Sequence, residues 1–155
     1  MTTSDRRQGW VLVALQFVLL AVIVVGPAGG VWVVPGPLRT AGTVMRVVGA
    51  AAIAAGALRL GRGLSVHPTP TGAAVLRTDG PYRFVRHPIY SGVLLLATGI
   101  TATSGSAAAI AALAGLAVLL NVKARFEEDL LRRRFPDYGT YASRTPRFIP
   151  SFPHR

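Results

Sequence analysis

The chain has 155 residues, about half of them hydrophobic, and its positive mean hydropathy is unusual for a water-soluble domain of this length. Its formal charge of +11 indicates an anionic partner, and the long apolar runs favour a membrane surface over nucleic acid. The absence of cysteine excludes disulfides, thiolate chemistry and cysteine-ligated zinc.

The first apolar run follows a short polar start that includes Arg6 and Arg7. Residues 9–25 carry no charge and one amide, Gln16. As a helix they would be about 25 Å long, at the short end for a bilayer crossing. A cleaved signal peptide is the alternative, because two arginines, an apolar stretch and small residues imitate one. Further spans follow, so we predict a retained first span.

Residues 26–40 contain three prolines and are predicted to break the helical pattern. Within them, residues 31–34 fit an interfacial or re-entrant piece, with Trp32 near headgroup depth. Residues 41–60 are the second predicted span, rich in glycine and alanine, which suit close helix contact in lipid. Arg46 lies near its start, within reach of the interface by snorkelling.

A polar connection over residues 61–78 leads to a dense polar cluster at 80–92. Pro88 can begin a helix, so the third span is predicted over 88–103. A turn at 104–106 then leads to the fourth span, 107–122, which should continue to about Arg134. We therefore predict one all-α integral-membrane domain over 1–155, with about four transmembrane helices and a C-terminal helical hairpin extended into the cytoplasm.

The placement of basic residues predicts the orientation. With a cytoplasmic N-terminus, four spans put most arginines and the C-terminus on the cytoplasmic side, which is the positive-inside pattern. Arg39 and Arg46 are the exceptions, and the 104–106 turn is uncharged.

Two polar clusters, residues 80–92 and 121–150, are then predicted to meet at one membrane surface. His87 and Tyr90 would share a helix face, as would Asn121, Arg125 and Glu128, with Glu127 beside them. Each residue alone has an ordinary reading as a membrane flank, an interfacial aromatic, a helix-surface ion pair or a structural histidine. Together they predict a polar pocket with both signs of charge, and such groups at a lipid boundary are functional candidates.

The motifs in these clusters carry a resemblance. Gly80-Pro81-Tyr82 and Arg86-His87-Pro88-Ile89-Tyr90 precede the apolar hairpin, Glu127-Glu128 follows it, and Pro146-Arg147-Phe148-Ile149-Pro150 closes the pattern. This pattern, over roughly residues 75 to 150, resembles the isoprenylcysteine carboxyl methyltransferase family, which is related to the phospholipid N-methyltransferases. Pro136 departs from it, since glycine is expected there, and the N-terminal half carries no motif.

The resemblance implies an integral-membrane enzyme that uses S-adenosylmethionine without a Rossmann fold, and no Rossmann glycine fingerprint is present. It implies these cofactor-binding candidates: His87, Tyr90, Glu127 and Glu128. Tyr138 or Tyr141 is expected to cover the adenine or close the pocket. Imidazole and arginine suit the cofactor carboxylate, whereas carboxylates suit its ammonium and hydroxyls. No metal site is expected.

Methyl transfer depends mainly on positioning. For a carboxylate acceptor, Arg86 or Arg125 would hold one oxygen while the other attacks. For an amine acceptor, Glu127 or Glu128 would have to serve as base. The acceptor is expected to be a prenyl, fatty or phospholipid-like molecule that enters from the bilayer, with a carboxylate favoured. An NADPH-dependent sterol-reductase-like enzyme and a non-catalytic membrane protein are the alternatives, and the oligomeric state stays open.

Overall fold

The computed structural model describes residues 3–26, 32–61 and 75–150, without the side chains of residues 3–6. Over these residues the fold is all-helical, with no strand. Its five α-helices are α1 (Thr3–Val25), α2 (Gly36–Leu60), α3 (Pro88–Ser104), α4 (Ala107–Arg134) and α5 (Tyr138–Arg144), and a short 3-10 helix spans Gly80–Arg83. Most of the predicted polar connection, residues 62–74, and residue 31 of the predicted interfacial piece lie outside the described residues.

The helices confirm an all-α integral-membrane architecture. Three helical segments are long and apolar enough to cross a bilayer: Arg7–Val25, Gly36–Leu60 and Ala107–Arg134. Large hydrophobic side chains on these helices are exposed on the surface of the protein, for example Phe17 and Val18 of α1. Such a surface suits contact with lipid. At 17 residues, or about 25 Å, α3 is shorter, so the third span, predicted over 88–103, stays a prediction.

The prolines at positions 35 and 37 mark the start of α2, so the prediction that the break in the helical pattern extends through residues 36–40 is wrong. Pro35 is the extended N-cap residue, and Pro37 lies in the first turn, where its missing N–H has no helical partner to lose. At the other end of the chain, α4 continues to Arg134 as predicted, and Phe135 has extended backbone.

A short turn joins α3 to α4. Gly105 adopts the left-handed conformation (φ 62°), which ends α3, and the Ser106 side chain accepts a hydrogen bond from the Ala109 N–H to cap α4. The predicted hairpin is therefore present, although each of its helices packs mainly on another partner, α3 on α2 and α4 on α1.

Glycines bring α2 and α3 into backbone contact. Gly42, Gly49 and Gly56 recur every seven residues on the buried side of α2. A Cβ built at Gly49 would lie 2.7 Å from the Gly92 carbonyl oxygen, and one at Gly92 would lie 2.7 Å from the Gly49 carbonyl oxygen. A side chain on either residue would separate the helices, so this pair is held by close backbone packing.

The bundle places the start of α3 and the second half of α4 at the same end. The 3-10 helix closes this end through Tyr82, which is buried and whose hydroxyl donates a hydrogen bond to the Gly56 carbonyl (3.4 Å). Arg59 at the end of α2 pairs with Asp79, just before the 3-10 helix. Both polar clusters of the sequence therefore lie at one end of the bundle.

Candidate active site

Glu128 is the centre of the polar cluster. Its side chain is 2% exposed on the buried side of α4. Its Oε1 accepts hydrogen bonds from Arg86 Nε at 3.0 Å and Arg147 Nε at 2.9 Å, and it lies 3.1 Å from His87 Nε2. Because a carboxylate between two guanidinium groups can only accept, His87 Nε2 carries the proton in this contact.

Arg147 joins two turns of α4. Its Nη2 donates to Glu128 Oε2 at 2.9 Å, and its Nη1 donates to the Asn121 side-chain oxygen at 2.8 Å. The hydrogen bond to Glu128, which favours the charged guanidinium, raises the pKa of Arg147. The bidentate geometry fixes the guanidinium relative to residues 121 and 128, seven positions apart on α4.

Residues 145–150 form a non-helical segment, here called the closing segment, that lies against the start of α3. The backbone N–H groups of Arg86 and His87 donate to the carbonyls of Pro146 (2.8 Å) and Arg147 (3.1 Å). The Ser91 hydroxyl donates to the Phe148 carbonyl at 2.7 Å. These bonds hold together the backbone at Arg86 and the backbone at Arg147, the two arginines that contact Glu128. They thereby position both guanidinium groups.

His87, Tyr90 and Glu127 form a second group beside Glu128. The rings of His87 and Tyr90 are stacked, 5.2 Å apart and parallel within 1°. The Tyr90 hydroxyl donates to Glu127 Oε2 at 3.0 Å, and His87 Nδ1 lies 3.7 Å from the same oxygen. The Glu127 side chain is 30% exposed, so it is the accessible carboxylate of the pair.

A buried lysine lies next to the group formed by His87, Tyr90 and Glu127. Lys123, the one lysine of the chain, is 1% exposed, and its ammonium donates to Gln16 of α1 at 2.7 Å. The same nitrogen lies 5.3 Å from the centroid of the Tyr90 ring, within the range of a cation–π contact. Gln16, the amide that stood alone in the first apolar run, therefore connects α1 to the site.

Three tyrosines line the outer part of the cluster. Tyr141 donates to the Tyr82 carbonyl at 2.6 Å, and Tyr138 is 1% exposed with its ring edge-on to Tyr141. Burial raises the pKa of Tyr82, Tyr138 and Tyr141, the last to about 12, so all three phenols are protonated at neutral pH. The Tyr138 hydroxyl is buried and has no hydrogen-bond partner among the described residues, so it can donate to a bound ligand.

The structure brings together most of the residues singled out in the sequence: Arg86, His87, Tyr90, Glu127, Glu128, Tyr138 and Tyr141. Arg125 is separate, because its side chain is exposed on α4 and takes no part in the contacts of Glu128. The expectation that Asn121, Arg125 and Glu128 share one working face is therefore wrong for Arg125. Asn121 and Glu128 do share a face, two turns apart, through Arg147.

Arg147 and Lys123 were not among the predicted site residues. A signal for Arg147 was present, since Pro146 and Pro150 bracket it in a stretch that cannot continue a helix. No comparable signal marked Lys123, whose burial depends on the approach of α1.

These residues fit a ligand of mixed charge. Glu128 already accepts from both arginines, whereas Glu127 uses only Oε2 among the described contacts and can accept from an ammonium or a hydroxyl through Oε1. The Tyr138 hydroxyl adds an unused donor. Within residues 3–26, 32–61 and 75–150, no group of three or more histidine, aspartate or glutamate side chains could hold a metal ion.

Comparison with known proteins gives one family. The model of a family described as phospholipid methyltransferase matches residues 38–138, which is well over half of the chain and includes α3 and α4.

Two curated relatives match a shorter stretch. The nickel-cobalt-cadmium resistance protein NccN of Alcaligenes xylosoxydans xylosoxydans is 43% identical over 77 residues, or 48% of this chain and 36% of that protein. The cobalt-zinc-cadmium resistance protein CzcN of Cupriavidus metallidurans is 41% identical over 76 residues, or 48% of this chain and 35% of that protein. The chain thus spans about a third of the length of the curated relatives it matches.

Proposed function

We propose that this chain, which belongs to the phospholipid methyltransferase family, transfers a methyl group from S-adenosylmethionine to a lipophilic acceptor at one membrane surface. This family is the one related to the isoprenylcysteine carboxyl methyltransferases, which the sequence pattern resembles. A specific likeness to the isoprenylcysteine carboxyl methyltransferases is part of the proposal. The observation that carries it is the pairing of a buried, fully engaged Glu128 with an accessible Glu127 beside His87 and Tyr90.

The two carboxylates have different proposed roles. Glu128, held by Arg86, His87 and Arg147, is a positioning residue that fixes the start of α3 against α4. Glu127 would accept from the ammonium or the ribose hydroxyls of the cofactor. Tyr138 would donate to a polar atom of the same ligand, with Tyr141 holding the 3-10 helix over it.

Bound S-adenosylmethionine supplies an activated methyl group on a positive sulfonium, so the protein has to position and desolvate the acceptor rather than activate the methyl group. A carboxylate acceptor, the favoured class, needs no proton removal at neutral pH. Arg86 already donates to Glu128 and to the carbonyls of Ala142 and Thr145, so its part is to hold the site together. An amine acceptor would require a base, and Glu127 is then the proposed base because it is accessible.

The first test measures thermal stability of detergent-purified protein with S-adenosylmethionine, S-adenosylhomocysteine or NADPH. A ligand that binds only the folded state stabilises it by ~2.7 kcal/mol at a hundredfold excess over its dissociation constant, so the midpoint should rise with the first two ligands. A rise with NADPH alone would replace the proposal by a reductase. No rise with any ligand would favour a non-catalytic membrane protein.

Replacing Glu127 by glutamine should weaken S-adenosylmethionine binding roughly 10- to 100-fold, the range expected for losing hydrogen bonds to a charged group. The matched control is Asp129→Asn, which also removes one negative charge from α4 but alters an exposed carboxylate 3.8 Å from Arg132. Isothermal titration measures both affinities. Equal affinities in the two variants would remove Glu127 from the cofactor site.

The orientation has its own test. If both termini are cytoplasmic, a cysteine at Ser104 should react with a membrane-impermeant thiol reagent added to intact cells, and a cysteine at Ser143 should react only after lysis. The chain has no native cysteine, so the signal comes from the introduced thiol alone. Reversed labelling would place the site on the other membrane surface.

The names of the two relatives refer to resistance to metals, which is said of those proteins.

A further inference from the structure

Two arginines lie in the first half of α2, on the side of the bundle's middle that is remote from the polar cluster. Arg39 is in the first turn of α2, and Arg46 is ten residues from the start of that helix, about 15 Å along its axis. Seven residues separate them, so they share one side of the helix. Both are exceptions to the charge pattern that orients the chain, and the site described above uses neither.

Arg46 is partly enclosed by protein. Its stem crosses Gly99 of α3, where a built Cβ would lie 3.0 Å from Arg46 Cγ. Its Nε is buried and has no hydrogen-bond partner among the described residues. A guanidinium group stays charged at any accessible pH, and a charge at membrane depth is unfavourable without a partner.

The chain offers no carboxylate to this end of the bundle. Residues 6–78 contain no aspartate or glutamate, and neither do residues 80–126. The acidic residues fall at the start of α1, just before the 3-10 helix, and from Glu127 to Asp137, all toward the end that holds Glu128. Among the described residues, no aspartate or glutamate side chain is therefore available as a counter-charge for Arg39 and Arg46.

We propose that Arg39 and Arg46 bind the phosphate of an anionic phospholipid in the leaflet where α2 begins. Long side chains on a helix point back toward its N-terminus, so the Arg46 side chain extends from its backbone toward the headgroup side of α2. The planar guanidinium fork matches phosphate oxygens, and a net negative headgroup neutralises two adjacent positive charges better than a zwitterionic one.

This lipid is separate from the methyl acceptor. Arg39, in the first turn of α2, is 17 residues or about 25 Å before Gly56, which contacts Tyr82 at the polar cluster. The headgroup therefore binds in the leaflet opposite the cluster. The proposal rests on the charge distribution and on the unpartnered Arg46 Nε, and it does not depend on the methyltransferase function.

Trp32 provides the reporter, because it is 41% exposed and lies four residues before α2. The chain has two tryptophans, so Trp10→Phe leaves Trp32 as the single fluorophore. This protein is reconstituted in phosphatidylcholine vesicles that contain phosphatidylglycerol or phosphatidylcholine with brominated chains. We expect brominated phosphatidylglycerol to quench Trp32 more strongly than brominated phosphatidylcholine does. The affinity of phosphatidylglycerol relative to phosphatidylcholine should be higher by about fivefold for each arginine that binds the headgroup.

Arg46→Gln in this background should lower the preference about fivefold, and Arg39→Gln should lower it too, whereas Arg46→Lys keeps the charge and most of the preference. The control is Arg133→Gln, an exposed arginine at the other end of the bundle, which should leave quenching of Trp32 unchanged. If Arg46→Gln does not fold, the exposed Arg39→Gln gives the same test.

Equal quenching by the two brominated lipids in the Trp10→Phe protein, or an unchanged preference in Arg39→Gln and Arg46→Gln, would overturn the proposal. So would loss of the preference when inorganic phosphate replaces chloride at constant ionic strength, because the site would then take a free anion rather than a lipid.

Discussion

Glu128→Gln should lower the free energy of unfolding by about 3–5 kcal/mol, the usual effect of removing one partner from a buried ion pair. The glutamine keeps the shape of the side chain but removes the negative charge that compensates Arg86 and Arg147, at a position where the side chain is only 2% exposed. It also replaces an oxygen acceptor by an NH₂ group that cannot accept from either guanidinium. Thermal and denaturant unfolding of the purified protein measure the loss.

Two neighbours on α4 give controls for this effect. Asp129→Asn alters an exposed carboxylate and should change the free energy of unfolding by less than about 1 kcal/mol. Glu127→Gln, at 30% exposure, should fall between the two. If Glu128→Gln unfolds at the same midpoint as Asp129→Asn, Glu128 is not the centre that joins α3, α4 and the closing segment.

Gly49→Ala should also destabilise the protein, by about 1–3 kcal/mol or more, because the added methyl group meets backbone that cannot rotate away. A Cβ at this position would lie 2.6 Å from the Leu96 nitrogen and 2.7 Å from the Gly92 carbonyl oxygen. The two helices would have to move apart along their whole contact.

Gly139→Ala, within α5, is the matched control, because a Cβ there has no neighbour within 4 Å and the next residue is not proline. Alanine favours helix over glycine by up to about 1 kcal/mol, so this variant should be neutral or slightly stabilising. The two substitutions are chemically identical, and the opposite sign of their effects on the unfolding midpoint isolates the close approach of α2 and α3. A stabilised Gly49→Ala would show that the helices do not touch there.

The lengths of the apolar runs and the positions of the prolines made most of the fold predictable from the sequence. The start of α3 at Pro88 and the long continuation of α4 both follow from local rules about prolines and uninterrupted helical pattern. The start of α2 at Gly36 does not follow from a rule that treats every proline as a helix breaker. Pro35 and Pro37 each occupy a position at the start of a helix where proline is tolerated. Glycine and alanine content indicated close packing, but only the structure identifies which glycines touch and that α2, not α4, is the main neighbour of α3.

The site was predictable where the chemistry is concentrated in short motifs. Arg86, His87 and Glu128 do come together, because α3 and α4 bring their polar ends to the same end of the bundle. Arg125 shows the limit of spacing arguments, since three residues along a helix still leave about 60° between side chains. Arg147 and Lys123 depend on contacts across 19 and 107 positions, with Glu128 and Gln16, that no local pattern encodes.

The closing segment sets an order of events during biosynthesis. Residues 145–150 are synthesised after α1 to α4, so until they pack against the start of α3, Glu128 lacks Arg147 and the N–H groups of Arg86 and His87 lack their carbonyl partners. Assembly of the site is therefore a late step, which waits for the segment that follows α5.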